Sequence, residues 1–153
     1  MKILIADDEE PKLCSIVDWL AVFDSSSQRI TSRSVRSTID SILNEMPDLV
    51  LLDMSLPTFD IGSGENGGRP QGFGGIEVLR NLEFYEVKTK VIVVTQYEAF
   101  DENGKQVDLR VLRERLKKEN PDVFLDCVYY NAVSDAWKTE LGYHIEKLQG
   151  AIQ

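Results

Sequence analysis

Two kinds of hydrophobic pattern alternate along the chain. Ile3-Leu4-Ile5-Ala6 is a short unbroken apolar run that ends in Asp7-Asp8-Glu9-Glu10, and Leu49-Val50-Leu51-Leu52 ends in the same way at Asp53. Runs of this length and character predict parallel strands buried on both faces, with their carboxyl ends turned to solvent. Val91-Ile92-Val93-Val94, ending at Thr95, and Phe124–Tyr130 read alike, and a weaker strand falls at Gln28–Ser32. Between these runs the apolar residues recur at helical spacing. They are Leu13, Ile16, Val17 and Leu20 after Pro11, then Val35, Ile39, Ile42, Leu43 and Met46 before Pro47, then Ile76, Leu79 and Leu82. Leu109, Leu112 and Leu116 mark a helix from about Asp108 to Lys118. Trp137, Leu141, Ile145, Leu148 and Ile152 mark a last one, capped by Ser134 or Asp135. Strand followed by helix, five times over, predicts an α/β fold: a parallel sheet covered by helices on both faces. Two stretches fit neither pattern. Residues 58–75 hold seven of the ten glycines and Gln96–Gln106 is polar, so both are expected to be long loops at the carboxyl edge of the sheet.

Length and composition narrow the picture. The 153 residues suit one domain, 1–153, with insertions at about 58–74 and 96–107. The chain is 42% hydrophobic and 28% charged, and its 26 acidic against 17 basic residues leave a net charge of −9. An acidic chain is ill suited to wrapping a phosphate backbone, so no nucleic-acid partner is expected. Two cysteines, Cys14 and Cys127, cannot make a disulfide framework and are expected to pack in the core. The single histidine, His144, excludes a His-rich zinc site and is expected on a helix surface. No apolar run reaches membrane-spanning length and the first residues turn acidic early, so the expected compartment is the cytoplasm, with no membrane partner.

The chemistry gathers where the strands end. Asp7 and Asp8 follow the first strand, Asp53 the third, and Thr95 closes the fourth, all on one edge of a parallel sheet. Converging carboxylates repel one another, and a hard divalent cation such as Mg2+ relieves that repulsion while pairing readily with phosphate. A carboxylate is also a nucleophile toward phosphorus, and a threonine hydroxyl can donate to a phosphoryl oxygen. Taken singly, an Asp-Asp pair is usually a solvated turn or a cap; its coincidence with Asp53 in the same register is what raises the site above that reading.

The residues Ile5-Ala6-Asp7-Asp8-Glu9 and Leu49-Val50-Leu51-Leu52-Asp53-Met54-Ser55-Leu56-Pro57 resemble the receiver domains of two-component response regulators. Gly74-Gly75-Ile76-Glu77-Val78-Leu79-Arg80 and Val91–Thr95 extend the resemblance over nearly the whole chain, in order. It implies a flavodoxin-like, CheY-like (βα)5 doubly wound sheet of order 2-1-3-4-5. It also implies Asp53 as phosphoacceptor and Mg2+ on Asp8, Asp53 and the Ser55 carbonyl, with Asp7 acting through a bound water. Thr95 would be the switch hydroxyl and Tyr129, next to Tyr130, the switch aromatic. The implied partners are a histidine kinase or phosphotransfer protein and a downstream protein. The latter would meet the basic stretch Arg110–Lys118 and the last helix, although such a charge run is most often a solvated face.

The chain departs from the family at three points. The lysine that usually closes strand five falls on Asn131 or, slipped by one, on Ala132. The residue after the switch hydroxyl, usually small, is Gln96, a candidate gate. Twenty-one residues separate Asp53 from Gly75, and thirty-five separate Thr95 from Asn131; Arg69 and Lys105 in these insertions are candidates to supply the missing cation. Three readings follow: a stand-alone receiver phosphorylated on Asp53, a degenerate receiver that binds partners without phosphorylation, and, distantly, a Mg2+-dependent phosphohydrolase. The last is weakened because the place of a general acid two residues after Asp53 is held by Ser55.

Overall fold

The three central strands of a five-stranded parallel sheet are apolar along nearly their whole length and buried, so helices cover the sheet on both sides. The computed structural model describes residues 1–60, 74–97, 99–102 and 104–152. The elements are β1 (Lys2–Ala6), α1 (Glu10–Phe23), β2 (Gln28–Ser32), α2 (Val35–Glu45), β3 (Leu49–Leu52), α3 (Gly74–Phe84) and β4 (Lys90–Thr95). There follow β5 (Ala99–Glu102), β6 (Lys105–Asp108), α4 (Leu109–Glu119), β7 (Phe124–Tyr129) and α5 (Ala136–Ile152). The sheet order is β2-β1-β3-β4-β7, all parallel. This is the expected doubly wound order, with β7 as the fifth strand of the pattern.

Strand alternation sorts the core into two layers. Ile3, Ile5, Leu49, Leu51, Ile92 and Val94 face α1 and α5, where Leu13, Ile16, Leu20, Trp137, Leu141 and Ile145 are buried. Leu4, Ala6, Val50, Leu52, Val91 and Val93 face α2, α3 and α4, meeting Ile39, Ile42, Leu79, Leu82, Leu112 and Leu116. Burial of large aliphatic side chains, at roughly 1.5–3 kcal/mol each, is the main drive holding both layers.

Three local expectations are corrected. The stretch read as a polar loop contains an antiparallel hairpin, β5 against β6, in which Glu102 faces Lys105 across a two-residue connection. So tight a turn needs a residue that takes a left-handed backbone, and Gly104 supplies it at φ 81°. Met46 is exposed instead of continuing the apolar face of α2, because it ends the helix in a left-handed conformation, φ 50°. Cys14 is also exposed, with its Sγ 3.5 Å from Glu10 one turn earlier on the outer face of α1; Cys127 is buried as expected. Residues 61–73 of the glycine-rich insertion, Arg69 among them, lie outside the described residues.

Candidate acidic site at the carboxyl edge of the sheet

Register brings the acids together. Ala6 of β1 lies opposite Leu52 of β3, so the next residues, Asp7 and Asp53, leave the sheet side by side. Asp53 N–H donates to the Ala6 carbonyl at 2.8 Å and Asp7 N–H to the Ser32 carbonyl at 2.9 Å, which fixes both at the strand ends. With Asp8 they present carboxylate oxygens that all lie within 4.8 Å of one another. Asp7 and Asp53 are buried, while Asp8 is half-buried. Behind Asp53 the chain turns sharply, and α3 starts hard against that turn. A Cβ on Gly74 would stand 2.1 Å from the Leu56 carbonyl oxygen, and one on Gly75 would stand 3.0 Å from Met54 Cα. Gly75 N–H closes the contact by donating to the Met54 carbonyl at 3.0 Å.

A base is buried among these acids. Lys12, only 2% exposed, lies in the first turn of α1 and extends its ammonium into the site. Lys12 Nζ stands 2.8 Å from Asp7 Oδ2 and 3.2 Å from Asp53 Oδ1, and it donates to the Val94 carbonyl at 2.8 Å. Its three N–H bonds thus have three acceptors from the ends of three adjacent strands. The ring of Tyr130 lies 6.0 Å away. Burial opposes the charge on Lys12, but the facing Asp53 and Asp7 carboxylates outweigh it and hold the ammonium protonated above its ordinary range. Asp7 is driven the other way. Burial, against the attraction of Lys12 and with the repulsion of Asp53, raises its carboxyl from 3.8 to about 6. Asp8 is raised too, by burial first and then by the charge of Asp53.

The rim is tied down by polar contacts. Thr95, fully buried at the end of β4, accepts the Tyr97 N–H on Oγ1 at 3.2 Å, and its carbonyl accepts the Tyr130 N–H at 2.8 Å. Gln96 Nε2 donates to Glu9 Oε1 at 2.6 Å, linking the loop after β4 to the loop after β1. Asn131 is engaged in its own turn, where its Oδ1 accepts the Val133 N–H at 3.0 Å.

No model of a known protein family matches the chain. Among curated proteins, the uncharacterized protein y4jR of Sinorhizobium fredii is 30% identical over 92% of this chain and 94% of its own length. The Detocs response regulatory protein DtcB of Enterobacter cloacae is 28% identical over 97% of this chain and 100% of its own. The sporulation initiation phosphotransferase F of Bacillus subtilis is 28% identical over 83% of this chain and 90% of its own. A CheY-like response regulator receiver domain protein from Methanospirillum hungatei shares the fold, with a TM-score of 0.62 at 19% identity, over 97% of this chain and 94% of that one. The chain belongs to the receiver domains of two-component response regulators. These are signalling domains, and its bacterial relatives place it in signal transduction.

Of the residues singled out from the sequence of this receiver, Asp7, Asp8 and Asp53 converge in space, and Ser55 follows two residues after Asp53. Thr95 ends the strand beside β3, and Gln96 reaches across to Glu9. The two tyrosines part company: Tyr130 is buried toward Lys12 and Trp137, whereas Tyr129 is 36% exposed. Lys105 is exposed on β6. Sequence reasoning missed Lys12. The signal was present in the spacing, since Lys12, Ile16 and Leu20 follow at intervals of four along the buried face of α1. A lysine in that series calls for an acid to receive it.

Proposed function

We propose that this receiver accepts a phosphoryl group on Asp53 and signals through protein contacts. The observation that supports this most is the cluster of Asp7, Asp8 and Asp53 oxygens within 4.8 Å of one another at the edge where α/β sheets bind their ligands. Three carboxylates beside one ammonium leave two negative charges, which one divalent cation cancels, so the donor set fits Mg2+. Asp8, Asp53 and the Ser55 carbonyl would hold the ion, with Asp7 acting through a bound water. When bound, the ion offsets the charge on the phosphoryl oxygens. In the transfer, a carboxylate oxygen of Asp53 forms a bond to phosphorus as the P–N bond of the donor's phosphohistidine breaks. The electron pair returns to the imidazole nitrogen, which takes a proton from solvent. Thr95 would then turn its hydroxyl to a phosphoryl oxygen and give up the Tyr97 N–H it now accepts. Because the Thr95 carbonyl also holds the Tyr130 N–H, that movement is passed to the end of β7 and to Tyr129, shifting the population of the adjoining surface.

The donor would be a histidine kinase or phosphotransfer protein, and the setting the cytoplasm. Among the described residues no helix is long and apolar enough to cross a membrane. The similarity to a response regulatory protein of Enterobacter cloacae over that protein's whole length supports a signalling role. The surface formed by α4 and α5 is the proposed docking face. A second reading, binding without phosphorylation, is favoured by the Gln96–Glu9 contact at the rim and by Asn131 in place of the family's lysine.

A two-dimensional NMR titration with Mg2+ and then beryllofluoride separates the two. Shifts spreading from Asp53 to Thr95 and Tyr130, absent in Asp53→Asn, are expected. An Mg2+ response alone would remove phosphotransfer, and no response to either would leave an interaction module.

A further inference from the structure

The strand-five position that the family fills with lysine holds no base here, yet the site is not without one. Lys12 arrives from α1, and its placement is costly on two counts. A buried ammonium is desolvated, and a cation in the first turn of a helix faces the positive end of the helix dipole. Pro11, Leu13 and Ile16 leave the register of α1 no choice about which way Lys12 points, because Ile16 and Leu20, four and eight residues on, are in the core. Among the described residues the Asp7 and Asp53 carboxylates and the Val94 carbonyl compensate, with the Tyr130 ring 6.0 Å away.

We propose that Lys12 is the cation that holds a phosphoryl oxygen on Asp53, entering from the first helix instead of from the last strand. The inference rests on the reading of Asp53 as phosphoacceptor. Of the three contacts of the ammonium, that to Asp53 is the longest, at 3.2 Å against 2.8 Å for each of the others. The Asp7 and Val94 contacts anchor Lys12, and the third N–H is the one free to move. Once Asp53 is an acyl phosphate its carboxyl group no longer carries the charge, which now lies on the phosphoryl oxygens. The third N–H follows it there, forming a charge-assisted hydrogen bond while Lys12 keeps its proton throughout. The ring of Tyr130 bounds the ammonium on the side of the last strand, where the family's lysine would enter. Asn131 is held in its own turn, its Oδ1 accepting the Val133 N–H at 3.0 Å.

The test compares wild type, Lys12→Met and Asp53→Asn by NMR titration with Mg2+ alone and then with beryllofluoride. Methionine keeps most of the length of the side chain and removes the charge. Lys12→Met is expected to bind Mg2+ at least as tightly as wild type, since a cation beside Asp7 and Asp53 has gone, and to bind beryllofluoride at least about tenfold more weakly. Unchanged beryllofluoride affinity in a folded Lys12→Met would overturn the proposal, and so would loss of both ligands together, which marks a purely structural lysine. Should Lys12→Met not fold, the wild-type complex decides, through a magnetisation transfer between the fluorine of bound beryllofluoride and the Lys12 Hε protons. Its presence supports the contact and its absence overturns it. A wild type that fails to bind beryllofluoride, or an Asp53→Asn that binds it equally well, overturns the underlying reading of Asp53 and the proposal with it.

Discussion

Asp7 carries the electrostatic tension of the site, because its carboxylate is 1% exposed and shares one ammonium with Asp53. Its carboxyl is raised from 3.8 to about 6, first by burial, so between these values the native chain holds a proton that the unfolded chain has released. The native state therefore gains on the unfolded state as pH falls from about 6 toward 4, and loses that gain as pH rises through about 6. In metal-free protein, the stability of wild type relative to Asp7→Asn is expected to improve on going from pH 7 to pH 5 in urea unfolding. A difference that stays constant with pH would contradict the assignment. The cysteines offer a second check at this scale. Burial pushes the Cys127 thiol to about 12, whereas Cys14 lies open on α1. One thiol per chain should react with an alkylating reagent in the native state and two in denaturant; rapid native labelling of both would show that the α4 side of the sheet opens. At this scale the aspartates were legible because each ends an apolar run, and Lys12 was overlooked because the apolar residues beside it, Leu13 and Ile16, define the helix without it.

Elements matter here through how tightly they abut. The glycines that begin α3 let the helix start in contact with the backbone after Asp53. In Gly74→Ala the new Cβ would meet the Leu56 carbonyl 2.1 Å away, so the loop or the helix must move. A destabilisation of about 1–3 kcal/mol is expected, together with amide shifts at Asp53, Met54 and Leu56. An unshifted spectrum with full stability would show that the contact yields easily. On the other side, Asp126 of β7 joins two helices, with Arg113 Nε of α4 at 2.7 Å from Oδ1 and His144 Nε2 of α5 at 3.1 Å from Oδ2. Arg113 also donates to the Cys127 carbonyl at 2.9 Å. Part of the basic stretch read as a docking patch is thus spent inside the molecule, while Arg110, Lys117 and Lys118 remain exposed. The strands and helices could be read from periodicity, since each has a single apolar face or run to place. The β5–β6 hairpin could not, because its strands are short and polar; the clue in the sequence was the Asn-Gly dipeptide at 103–104.

At the scale of the whole molecule, the strand order follows from the alternation of strand and helix, and the order in turn puts the ends of β1, β3 and β4 next to one another. That is why a site drawn from residues 7, 8, 53 and 95 was visible before any contact was known. What the one-dimensional pattern does not carry is which side chains cross the sheet edge from a neighbouring helix, as Lys12 does, or from a facing loop, as Gln96 does toward Glu9. Both depend on the packing angle of an element and not on its own repeat. The central claim, that Asp53 takes a phosphoryl group, is tested most directly by intact-mass measurement after incubation with Mg2+ and a small phosphodonor such as acetyl phosphate or phosphoramidate. The expected result is a gain of one phosphoryl mass in wild type, lost on treatment with hydroxylamine and missing from Asp53→Asn. An unmodified wild type, or an equal gain in Asp53→Asn, would contradict it.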